Sequence, residues 1–155
     1  MDKLGDIIGE ICKVVLPIHE EFYLGNPKSD TAVCTLGSIS LLKDMRESGI
    51  LQDVAIIGRL FSENKGIDAI IRFVNQNHNI RTIVICGKEV WGHKAGHSLI
   101  QLYENGIDKN NRIVGSSSPE PYLSVTKSDI QYFQNKINLV NLIGETRLDN
   151  ILRRI

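Results

Sequence analysis

Short β-branched runs alternate along this chain with segments whose apolar residues recur three and four positions apart. The strand-like runs are Thr31–Leu36, Asp53–Ile57, Arg81–Cys86, Arg112–Val114 and Ile137–Ile143. Between them, Ile39–Glu47, Gly66–Asn75, His93–Glu104 and Ser128–Lys136 carry the spacing of helices that bury one face. Strands that alternate with helices predict a mostly parallel sheet of about five strands with helices on both sides, a Rossmann-like three-layer α/β domain. Ahead of Pro17, the positions Leu4, Ile7, Ile8, Ile11, Val14 and Val15 predict an extra amphipathic helix, which Gly5 and Gly9 weaken.

Composition narrows this to one domain. A chain of 155 residues that is 42% hydrophobic can bury a core of its own. We read residues 1–24 as the N-terminal helix and lead-in, 25–144 as the core and 145–155 as a C-terminal helix. Eighteen basic residues balance eighteen acidic ones, so no positive field draws the chain to nucleic acid or anionic lipid. Cys12, Cys34 and Cys86 are odd in number and widely spaced, which suits a reducing compartment rather than a disulfide framework. The acidic Asp2, Asp6 and Glu10 are unlike a secretory signal, and no apolar run is long enough to span a bilayer. The expectation is a cytoplasmic protein with no direct membrane insertion.

Each strand-like run is followed at once by glycine, at Gly37, Gly58, Gly87, Gly115 and Gly144. Glycine there serves a tight turn or the close approach of a ligand. In open α/β sheets the ligand crevice lies beyond the carboxyl ends of the strands, where this rim falls.

Chemistry is densest in one stretch. The run from Gly87 to His97 holds two histidines, Glu89 and the chain's single Trp, Trp91. Imidazole ligates borderline transition metals, and its second nitrogen usually needs a carboxylate or carbonyl, for which Glu89 is near in sequence. His93 and His97 have the spacing of two ligands on one helical face, but the glutamate of the zinc-protease motif is absent between them. A helix-terminal or surface role is the plainer reading of either histidine, as it is for His19 and His78. Trp91 caps the core or offers an apolar face to a flat ring. Ser62 and Asn64 suit helix capping, and the loop Gly115–Pro121 suits a surface turn. Neither a G-x-G-x-x-G motif after a strand nor a phosphate-loop lysine motif is present, which disfavours a dinucleotide site.

These residues resemble the A-subunit family of tetrahydromethanopterin S-methyltransferase, whose members carry the corrinoid in a sodium-pumping complex of methanogenic archaea. The matching stretches are Gly25–Pro27 with Ala32–Ser38, Ser62–Ile71, Asn79–Gly106, Arg112–Pro121 and Phe133–Gly144. The most specific is Cys86–Gly96, similar to the family segment that contains the lower axial cobalt ligand, a role that maps onto His93. The resemblance implies a cobamide-binding methyl carrier, with cobalamin or 5-hydroxybenzimidazolyl cobamide as cofactor and with methyl-donor and methyl-acceptor methyltransferase proteins as partners. It carries methyl groups from methyl-tetrahydromethanopterin toward coenzyme M, and is not catalytically complete alone. The implied crevice takes in Gly37, Ser38, Ser62, Glu63, Asn64, Gly66, Gly87, Glu89, Gly92, His93, Gly96, Gly115, Ser116, Ser117, Pro119 and Pro121, with Glu89 the leading candidate to hold the other nitrogen of His93. His97 stands where the family usually has glutamine, and Leu60-Phe61 replaces more polar residues. Ending at Ile155, the chain carries no C-terminal membrane helix, as expected of a soluble form. Two other readings stay open: a noncatalytic cobamide-storage module, and a small metal-binding domain that uses His93 and His97 for zinc or nickel.

Overall fold

A computed structural model describes residues 22–155. Its sheet has five strands: β1 (Phe22–Leu24), β2 (Thr31–Cys34), β3 (Ile56–Gly58), β4 (Thr82–Gly87) and β5 (Asn138–Ile143). They lie in the order β1-β3-β2-β4-β5. β1 runs antiparallel to β3 and every other pair is parallel. The helices are α1 (Ile39–Glu47), α2 (Lys65–Gln76), α3 (Ala95–Asn105), α4 (Lys127–Lys136) and α5 (Leu148–Leu152), with a 3-10 turn at Ile50–Gln52.

Alternation along the strands divides the core into two halves. Val33, Ile57, Val84 and Cys86 face Leu41, Leu42 and Met45 of α1 and Ile151 of α5. Their neighbours Ala32, Cys34, Ile83 and Ile85 face Ile67 and Ile71 of α2, Leu99 and Leu102 of α3, and Ile130 and Phe133 of α4. A one-residue slip in either central strand would exchange the two sets, so register is fixed by burial on both sides. The result is the three-layer α/β arrangement with a mostly parallel sheet that the sequence predicts.

The connections create the crevice. The chain leaves β2 toward α1 on one face, and leaves its neighbour β4 toward α3 on the other. Adjacent strands whose connections part to opposite faces open a gap between their carboxyl ends, where ligands bind in such sheets. On the α2 side, an apolar cavity of about 470 Å³ lies between the β1–β3 edge and α2, bordered by Phe22, Leu24, Ile56, Ile70 and Phe73.

Several expectations are corrected. Arg112–Val114 is no strand of the sheet: Ile113 is buried and makes isolated bridges, with Ile107↔Ile113 and Arg112↔Tyr122 antiparallel. Asn111 at φ 62 and Gly115 at φ 84 turn the chain on either side and stop the run from extending. β3 begins at Ile56 rather than Asp53 because the Asp53 and Val54 N–H groups turn back onto the Ile50 carbonyl to close the 3-10 turn. α3 begins at Ala95, which leaves His93 outside it. The edge strand β1 was not legible in a run of three residues. The expected N-terminal helix lies outside the described residues.

Two carboxylates fix the polypeptide between Ser116 and α4. Asp68, buried in the first turn of α2, accepts bonds from the Ser124 N–H and hydroxyl and from the Val125 N–H. Thr126 and Asp129 then form a capping box at the start of α4: the threonine hydroxyl accepts from the Asp129 N–H at 3.1 Å, and the aspartate accepts from the Thr126 N–H at 3.1 Å. These bonds hold the Asp129 carboxyl below its ordinary range, the Thr126 hydroxyl being the largest cause. Thr126→Ala removes one side of the box, and urea unfolding should show a loss of about 1 kcal/mol with the fold retained.

Candidate functional site

The site forms where the segments after β2, β3 and β4 meet the loop 115–121. β4 ends on Gly87, at φ 81, where a Cβ would overlap the Thr35 carbonyl oxygen. This close approach lets the Gly37 N–H donate to the Lys88 carbonyl at 2.8 Å and the Lys88 N–H donate to the Ser38 hydroxyl at 2.9 Å. The segments after β2 and β4 are thereby tied together. Gly37, Gly66, Gly96 and Gly115 are likewise crowded by this chain's own atoms, so most of the glycine rim serves internal packing. Gly92, at φ 82, differs: open space surrounds the place a Cβ would take.

Beyond Gly87 the chain makes a tight turn from Val90 to His93, closed by the His93 N–H on the Val90 carbonyl at 3.1 Å. Lys94 follows in the left-handed region at φ 49 and opens α3. A non-glycine residue there costs about 1–2 kcal/mol and must be held by its surroundings. Glu89 supplies part of that hold. Its carboxylate accepts from the Gly96 N–H at 3.1 Å and the His97 N–H at 2.7 Å, satisfying the first turn of α3.

The partner of His93 is therefore not Glu89 but Glu63, from the segment between β3 and α2. His93 Nδ1 lies 3.0 Å from Glu63 Oε2. The carboxylate side chain is 2% exposed and the imidazole 52%. The other carboxylate oxygen accepts the Glu120 N–H at 3.1 Å, and the Asn64 side chain donates to the Glu120 carbonyl at 3.2 Å. Nδ1–H donation to a carboxylate leaves Nε2 as the basic nitrogen, and among the described residues nothing bonds it. Ser62 and Asn64 have the expected capping roles: the hydroxyl accepts the Gly66 N–H at 2.8 Å and the amide oxygen accepts the Lys65 N–H at 2.6 Å.

The loop 115–121 packs against this turn. Ser116 and Ser118 are buried with Ser98 of α3, Pro121 is buried, and Ser117 and Pro119 are exposed. The Ser118 hydroxyl donates to the His93 carbonyl, and the Arg112 guanidinium donates to the Ser116 carbonyl at 2.9 Å. His97 is engaged here too: its Nε2 accepts the Ser117 N–H at 3.4 Å, so it does not share a ligand face with His93. Among the described residues no three His, Cys, Asp or Glu side chains gather to hold a metal ion. Burial pushes the Cys34 thiol up to about 12 and raises Cys86 as well, so both are neutral apolar side chains. Trp91 is no core cap, since it is 95% exposed at the tip of the His93 turn.

The strand-end segments thus converge as the sequence predicted, through contacts that local spacing did not reveal. Glu63 was one candidate among many, although a carboxylate flanked by two capping residues at a strand end is a usable signal. Ser98 was missed. A serine on the apolar face of α3, beside Ala95, Leu99 and Leu102, is the sign that could have found it.

A family model for the A subunit of tetrahydromethanopterin S-methyltransferase matches residues 13–155. A protein of Methanosarcina barkeri, provisionally named as the A component of a methyltransferase Mtx, is 39% identical over 137 residues, covering 88% of this chain and 66% of the relative. The tetrahydromethanopterin S-methyltransferase A subunit of Methanosphaera stadtmanae is 34% identical over 87% of this chain and 53% of its own length. The second of two such A subunits in Methanothermobacter thermautotrophicus is 34% identical over 87% of this chain and 72% of its own length. The chain thus spans between about half and three-quarters of these relatives. Among the described residues no helix is long and apolar enough to cross a membrane.

The two carboxylates have separable tasks. Glu63→Gln puts one amide oxygen where two N–H donors converge, so ¹⁵N NMR of the His93 ring should show the Nδ1–H form giving way to a tautomer mixture. Glu89→Gln should leave that ring signal unchanged and instead lower stability in urea by about 1 kcal/mol through the weakened start of α3.

Proposed function

The chain belongs to the A-subunit family of tetrahydromethanopterin S-methyltransferase, and on that premise we propose that it is a methyl carrier that holds a cobamide through His93. The observation that carries this reading is the state of one imidazole. Its Nδ1 is held by the buried carboxylate of Glu63 at 3.0 Å, while its Nε2 has no bond among the described residues.

The residues present suit a cobamide at the point of ligation. A corrin ring supplies four nitrogens of its own, so the protein would need to contribute only one further donor, and the lone oriented imidazole of His93 would meet that need. A carboxylate behind a ligating histidine fixes the ring and raises its basicity. Gly92, with open space around it, leaves room for a wide disc beside the ligand. When bound, a cobamide supplies a cobalt centre able to take on and give up a methyl group.

The chain's own task is to hold one ring nitrogen ready as a donor. Glu63 keeps the Nδ1 proton on its side of the ring, so Nε2 stays available as the donor. The Glu120 N–H shares the carboxylate and tempers its pull. His97, with its Nε2 taken by Ser117, is left to support the loop. Methyl-donor and methyl-acceptor methyltransferase proteins are the partners we propose, because a carrier needs a protein on each side of its cycle.

Equilibrium dialysis with cobalamin tests the reading. One saturable site is expected, and cobinamide, which has no lower base of its own, should take on the visible spectrum of imidazole-coordinated cobalt when bound. His93→Ala should weaken binding by more than the roughly 10-fold that loss of a group supporting a ligand costs, and abolish that spectrum, while His97→Ala keeps it. No saturable binding by the wild type would remove the cofactor, and a coordinated spectrum that survives His93→Ala would remove the ligand assignment.

A further inference from the structure

His93 is held at two points, and only one of them is its ring. Behind its backbone lie three buried hydroxyls, those of Ser98, Ser116 and Ser118. Ser98 Oγ is 2.7 Å from Ser116 Oγ and 2.6 Å from Ser118 Oγ. Ser118 Oγ is in turn 2.5 Å from the His93 carbonyl and 3.2 Å from the Lys94 carbonyl.

Counting protons fixes the direction of this chain. A carbonyl can only accept, so the one hydroxyl proton of Ser118 goes to His93, the nearer of its two carbonyls. Ser118 must then accept from Ser98, because two oxygens 2.6 Å apart with no proton between them would repel. Having given its proton to Ser118, Ser98 accepts from Ser116, whose oxygen receives the Ser118 N–H at 3.2 Å. Every hydroxyl proton is committed, and the sequence Ser116, Ser98, Ser118 ends on the histidine's own carbonyl. Such chains polarise one another and lose more than one bond's worth when cut.

We propose that Ser118, fed by Ser98, is a positioning residue for His93, fixing the backbone from which the imidazole reaches while Glu63 fixes its ring. The proposal rests on the cobamide reading above. Its physical need is plain: Lys94, the next residue, sits at φ 49, and its carbonyl meets the same hydroxyl. Without that hydroxyl the His93 carbonyl loses its donor, and the turn can relax away from the left-handed conformation at Lys94, carrying the ring off the line set by Glu63.

The test compares the whole chain with its Ser118→Ala and Ser98→Ala variants, using cobalamin and cobinamide as the probes. Dialysis measures affinity, the visible spectrum of bound cobinamide, which has no lower base of its own, measures the share that is imidazole-coordinated, and ring ¹⁵N NMR follows His93 in cofactor-free protein. Ser118→Ala should weaken cobalamin binding about tenfold, split the bound cobinamide between coordinated and uncoordinated spectra, and broaden the His93 ring signals. Ser98→Ala, which leaves the Ser118 hydroxyl in place but unfed, should move all three in the same direction by less, and it supplies the answer should Ser118→Ala fail to fold. Wild-type affinity, spectrum and ring signals in the folded variants would overturn the proposal while leaving the cobamide reading intact. Absence of saturable binding by the wild type would overturn both.

Discussion

A carboxylate taken out of water must be met by donors, and the site is organised around that demand at Glu63. The side chain is 2% exposed, and its two oxygens are met by groups far from it in sequence, the ring of His93 and the backbone of Glu120. An unpaired charge at such a depth is expensive enough that the fold must supply both donors or neutralise the group. The segments after β3 and β4 and the loop 115–121 are consequently held in one arrangement. Glu89, facing the first turn of α3, and Asp68, beneath Ser124, do similar work at the borders of the site.

The sheet sets where this demand can be met. β2 and β4 lie side by side, and their outgoing connections part to opposite faces. The gap above them is narrowed by the Gly87 turn, which lets the backbone at Thr35 and Lys88 come close. What is left at the rim is a turn with little burial of its own, carrying an exposed Trp91, an open Gly92 and a half-exposed His93. The interior of the crevice is tied together by hydrogen bonds and the tip that carries His93 is accessible, a combination suited to a group that must be placed well and still be reached.

Periodicity carried the architecture. β2, β4 and β5 and the helices α1, α2 and α4 were readable because each buries a repeating set of apolar positions, and burial is what periodicity records. Arg112–Val114 looked like a strand for the same reason, with Ile113 buried, yet its hydrogen bonds go to isolated bridges rather than to the sheet. Propensity does not say which backbone a buried isoleucine will pair with. The pairing of His93 was beyond the reach of local spacing: Glu89, four residues away, was the natural choice, whereas Glu63, thirty residues away, is the partner. Position relative to α3 decides the matter, since Glu89 faces the orphan N–H groups of that helix and is used up there. The helical pairing of His93 with His97 failed because the helix starts two residues late.

The central claim is that His93, and no other nitrogen of the chain, reaches the cobalt of a bound cobamide. The most direct measurement is electron paramagnetic resonance of the cobalt(II) form in protein carrying ¹⁵N-histidine. Nitrogen splitting from one ¹⁴N nucleus is threefold and from one ¹⁵N nucleus twofold, so labelling converts a triplet to a doublet only if a histidine of the protein is the ligand. The account predicts that conversion in the wild type and in His97→Ala, and its loss in His93→Ala. A triplet indifferent to labelling, or a doublet that persists in His93→Ala, would contradict it.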